Sequence, residues 1–193
     1  MPITLTPEIV KAFYAAITKQ YGFSILDKSD SSLMKLVSNF LDGLNIMNKT
    51  DFMEQCTTTI FDKVYCPFTP GIPDDHGYSL EEQVGTAIHE AVHCNQYHDE
   101  PVKFPVFYLC NKSDRAEYES QAYAADLEWF WYRRGHGYDV KQRAQSLLSY
   151  GLDQNYCDFM AQYLEVQNDV FRQGGGISPE VTWAREWLEA YGK

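Results

Sequence analysis

The stretch that most constrains this chain runs from Ser79 to Tyr97. Ser79 followed by Glu82 has the form of a capping box, which gives a helix a defined start. Val84, Ala87, Ile88, Ala91 and Val92 then fall on one apolar stripe at helical spacing, and such a stripe has to be buried. Beside it stands His89-Glu90-Ala91-Val92-His93, which reads H-E-x-x-H. Residues four apart stack on one helical face, so both imidazoles can reach a single ion. Two neutral imidazoles and a third ligand suit Zn²⁺, with the remaining tetrahedral position left for water. Glu90 would then lie beside that water as its base. Any fold for this chain has to bring a third ligand over this helix.

Composition narrows the classes. At 193 residues the chain makes one domain with room for a real core. A formal charge of -11 argues against nucleic acid, and equally against an anionic membrane surface, as partner. Residues 1–10 have no basic n-region followed by an apolar core, so no export signal is expected, and no stretch reaches membrane-span length. The five cysteines are odd in number and never spaced C-x-x-C. That favours reduced thiols, a cytoplasmic location and no Cys-based zinc knuckle.

Along the chain, Thr6-Pro7-Glu8 starts a helix carrying Ile9, Phe13 and Ile17 and ending before Gly22. Asp30 or Ser31 opens a second, with Leu33, Leu36, Val37, Phe40, Leu41 and Leu44 on its apolar side. Residues 57–66 are β-branched and aromatic, and read as one strand or a hairpin pivoting near Asp62-Lys63. An exposed edge there can bind an extended peptide. Residues 100–110, with Pro101 and Pro105, read as a loop or irregular edge strand. Asn111 to Asp114 caps a long helix reaching Arg134, where Gly135 and Gly137 end it. Helices at 139–150, 153–172 and from Ser178 onward follow. The expected fold is α+β: one mostly helical domain with a small sheet beside the H-E-x-x-H helix. Its core spans 57–134, with helical extensions at 6–47 and 139–191.

Three sources compete for the third ligand. Asp99 continues the outline H-E-x-x-H-x-x-G-x-x-[H/D], but Gln96 stands where the glycine would turn the chain back. The long helix offers Glu119, which shares a face with Ala122, Tyr123 and Asp126. A carboxylate on so apolar a helix needs a partner or an ion; the plainer alternative pairs Glu119 with Arg115 at the surface. Glu117 points away from that face and is the fallback.

H-E-x-x-H followed by a helix bearing E-x-x-A resembles the gluzincin zinc metallopeptidases. His89-Glu90-x-x-His93 with Arg115-x-x-x-Glu119-x-x-Ala122-Tyr123-Ala124 is most similar to small bacterial and phage members of the ImmA/IrrE-like type. The resemblance covers roughly residues 57–130. It implies a zincin-like domain that hydrolyses peptide or protein substrates. It also implies Zn²⁺ on His89, His93 and Glu119, Glu90 as general base, and Asp126 orienting one histidine through its other ring nitrogen. The thermolysin-like N-E-x-x-S-D run is absent, which leaves Tyr123, Tyr132, His136 and Tyr138 as candidate oxyanion donors. The cysteine ligand of peptide deformylase has no counterpart either. The rival readings are a non-catalytic, metal-stabilised module and a regulatory or virion-associated interaction protein that kept the fold without the activity.

Overall fold

The structure, a computed structural model, describes residues 2–43, 49–176 and 178–191. In chain order the elements are α1 (Pro7–Tyr21), β1 (Ser24–Asp27), α2 (Ser32–Gly43), α3 (Lys49–Gln55), β2 (Thr58–Ile60) and β3 (Lys63–Cys66). Then come α4 (Leu80–Asp99), α5 (Lys103–Cys110), α6 (Lys112–Arg134), α7 (Val140–Ala144), a 3₁₀ turn (Gln145–Tyr150), α8 (Gln154–Arg172) and α9 (Pro179–Tyr191). The fold is a mostly helical α+β domain with one small sheet. Leu44, expected on the second helix, lies outside the described residues, as do the side chains of Phe40 and Leu41.

The helix α4 is the hub. Both halves of its capping box form: the Glu82 N–H donates to the Ser79 hydroxyl, and the Ser79 N–H to the Glu82 carboxylate. Its stripe of Val84, Ala87, Ile88 and Ala91 is fully buried against Val10, Phe13 and Ile17 of α1, Val181 and Leu188 of α9, and Ala122, Ala125 and Trp129 of α6. Each large side chain buried there contributes roughly 1.5–3 kcal/mol. Alanines on α6 let its backbone approach α4 closely. On its other side α6 buries Tyr123, Ala124 and Leu127 against Val140, Leu147, Met160 and Leu164. It is therefore sandwiched rather than half-exposed, and its sequence shows no single apolar stripe.

The sheet runs β1-β3-β2, with β1 parallel and β2 antiparallel to β3. Pairing Ile60 with Lys63 leaves Phe61 and Asp62 as the turn, one residue earlier than the expected pivot. Phe61 takes φ 57, an uncommon conformation for a bulky residue, and its ring packs on Tyr97 of α4 at 5.5 Å. That contact places the hairpin against the H-E-x-x-H helix.

Two segments differ from expectation. Residues 103–110 form a helix, not a loop or edge strand. Pro105 falls in its first turn, where the missing N–H would have had no intrahelical partner. The short strand β1 was not foreseen, because four residues are too few to show a period. It brings the N-terminal region into the same sheet as β2 and β3.

Candidate metal centre

His89, Glu90 and His93 are all buried on α4, at 5–8% exposure, and Glu119 on α6 is 1% exposed. Nitrogen and oxygen atoms of His89, His93 and Glu119 lie within 4.8 Å of one another. The Glu119 carboxylate straddles the histidines, with Oε2 3.8 Å from His89 Nε2 and Oε1 3.6 Å from His93 Nε2. These gaps exceed hydrogen-bond length. They approach the separation of about 3.4 Å expected of ligands at about 2.0–2.1 Å from a tetrahedral ion. Oε2 of Glu119 is buried with no hydrogen-bond partner, and such an oxygen is costly unless an ion takes it. The donor set, two imidazole nitrogens and a carboxylate oxygen, fits Zn²⁺.

Each of these groups is held by one outer partner. Asp126 Oδ2 accepts from His89 Nδ1 at 3.0 Å, turning Nε2 toward Glu119. Gln96 Oε1 lies 2.8 Å from His93 Nδ1, while its amide donates to Tyr118 O at 3.3 Å and Gln121 Oε1 at 2.9 Å. Those two donations fix the amide so that its oxygen faces the imidazole. Tyr108 on α5 donates to Glu119 Oε1, and Thr59 on β2 donates to Glu90 Oε2. Burial disfavours a charged His89, yet Asp126, Glu90 and Glu119 together outweigh it and raise its pKa to about 9. The pocket thus favours positive charge.

Asp126 was expected from the resemblance; the other three partners were not. Gln96 was legible in principle, since position i+3 on a helix reaches back to His93. Tyr108 and Thr59 arrive through tertiary packing and leave no local signal. Arg115 does not pair with Glu119. Its guanidinium instead donates to the carbonyls of Tyr108, Leu109 and Tyr150 at 2.6–2.8 Å. Asp99 is exposed at the end of α4, which runs through Gln96 without turning, and Glu117 is absent from the buried group.

Among the candidate oxyanion donors, Tyr123 sets its ring edge-on to His89 at 4.9 Å. Its hydroxyl accepts from Ser146, and burial followed by Glu119 pushes its pKa up to about 12. The Tyr138 hydroxyl is engaged by Tyr123 O at 2.7 Å. Tyr132 lies between Trp129 and Arg185, and His136 is exposed.

No helix among the described residues is long and apolar enough to cross a membrane, and none of the five cysteines is in a disulfide. No family model, curated protein or solved structure matches this chain.

Proposed function

We propose that the protein is a zinc-dependent peptidase of gluzincin type, with Zn²⁺ held by His89, His93 and Glu119. The observation that carries this reading is the buried two-histidine, one-carboxylate group, with its orphan Glu119 Oε2 and with Glu90 next to it in the chain. The bound ion would supply Lewis acidity, polarising a carbonyl and acidifying water. Glu90 accepts the proton of the attacking water and returns it to the leaving amine. Thr59 keeps the Glu90 carboxylate turned to one side while it does so. Asp126 and Gln96 fix the tautomers in which both Nε2 atoms face inward. The strand β2 is at the sheet edge and carries Thr59, so an extended peptide added there would lie beside Glu90.

A closed structural zinc site needs four protein ligands. Among the described residues the group numbers three, which favours the catalytic reading. The test is metal analysis of protein purified without chelator, followed by a peptide-library digest. One zinc per chain is expected. Glu90→Gln should keep the metal and lose about 10²–10⁴-fold in turnover. Protein that neither carries zinc nor takes it up would end this reading.

A further inference from the structure

We infer that Tyr108 is a positioning residue that commits Glu119 to binding its ion through one oxygen, Oε2; the inference rests on the metal reading above. The two carboxylate oxygens have different surroundings. Oε1 accepts the Tyr108 hydroxyl, whereas Oε2 is buried without a partner. An oxygen already in a strong, charge-assisted hydrogen bond is the poorer ligand, so the ion takes the other. One-oxygen binding keeps the protein's share at three donors and the fourth position free. A carboxylate released to bind through both oxygens would bring the ion, with water in its fourth position, to five donors.

Tyr108 is built into place. An eight-residue helix has little stability of its own, and Phe104 is its one buried residue, packed near His93 at 6.2 Å and Tyr118 at 4.8 Å. Arg115 clamps the carbonyls of Tyr108 and Leu109 at the far end of the helix. The Tyr108 ring stands edge-on to His93 at 6.1 Å, which fixes the direction of its hydroxyl. Three anchors on one short helix therefore converge on a single hydrogen bond to the third ligand.

The experiment exchanges Co²⁺ into wild type and Tyr108→Phe and compares their visible spectra. Four-coordinate Co²⁺ absorbs intensely and higher coordination weakly. Wild type should give the intense spectrum. Tyr108→Phe, which keeps the ring and its packing, should bind Co²⁺ with a loss of intensity as Oε1 joins the ion. A wild type that takes up no Co²⁺ overturns the metal reading itself. Uptake by both proteins with identical spectra overturns only the role of Tyr108. Should the variant fail to fold, infrared difference spectra of wild type with and without Zn²⁺ test the one-oxygen binding that the role of Tyr108 requires. One-oxygen binding widens the splitting between the carboxylate stretches, and a narrowed splitting would sink the inference.

Discussion

Two buried charged groups stand on either side of β2, and they are satisfied in opposite ways. Lys28, wholly buried, donates from Nζ to Phe52 O at 2.6 Å, Cys56 O at 2.7 Å and Thr58 Oγ1 at 2.8 Å, and lies 3.6 Å over the Phe52 ring. All three of its protons are placed, and the carbonyls belong to the end of α3, where a helix leaves acceptors without intrahelical donors. On the other side, Glu90, Glu119 and Asp126 crowd around two imidazoles, and one Glu119 oxygen has no hydrogen bond. A buried charge with every partner supplied ties structure together; a buried cluster of like charge with an orphan oxygen stores a demand for something else. Thr58 serves the first group and Thr59, its neighbour in the strand, the second. The short edge strand is thus a strut between scaffold and site.

The largest effect expected from breaking this contrast is at Glu119. Glu119→Ala removes the proposed ligand and the demand together. Zinc binding should largely disappear, and with it the stabilisation that metal gives the fold, about 2.7 kcal/mol when metal is at 100 times its Kd. A zinc titration followed by melting with and without metal checks both parts. A variant that binds zinc as wild type does would remove Glu119 from the site.

Next in size is Lys28→Met, which keeps length and apolar bulk but strands the acceptors at the end of α3. A loss of about 1–3 kcal/mol in denaturant unfolding is expected, with zinc affinity less affected than in Glu119→Ala. The same residue gives a pH signature. Burial lowers Lys28 to about 8 from its ordinary 10.5. The folded state therefore penalises the charged amine fully below pH 8, and the penalty lifts as pH rises from about 8 toward 10.5, where the unfolded chain still holds the proton. Wild type should gain stability relative to Lys28→Met over that window. Parallel curves would mean that the amine is not penalised by its burial.

How much of this was legible follows from where each signal resides. The helix α4, its capping box and its paired histidines are local, and the sequence carries them at fixed offsets. Glu119 and Asp126 were legible because seven residues on α6 return to one face and because acids on an apolar helix call for explanation. Tyr108 was hidden behind Pro105, which makes residues 100–110 look like a loop until one notes that a proline in a first turn costs a helix nothing. Lys28 was invisible for another reason: its partners come from α3 and β2, and nothing near it in sequence marks a lysine as buried.

The smallest predicted effects come from two residues of one turn, and they separate a helical reading of the motif from a turned one. In the H-E-x-x-H-x-x-G-x-x-[H/D] outline, position 96 exists to turn the chain and position 99 to bind. Here α4 continues to Asp99, and Gln96 spends its oxygen on His93 Nδ1. Losing an outer partner of a metal-bound histidine typically costs about 10–100-fold in affinity, so Gln96→Ala should weaken zinc by that factor. Asp99→Ala, at an exposed helix end, should leave affinity unchanged and move stability by no more than about 0.5 kcal/mol. Zinc titrations of the two variants side by side give the answer. A loss at Asp99 with none at Gln96 would mean that the chain does turn back and that α6 is not the source of the third ligand.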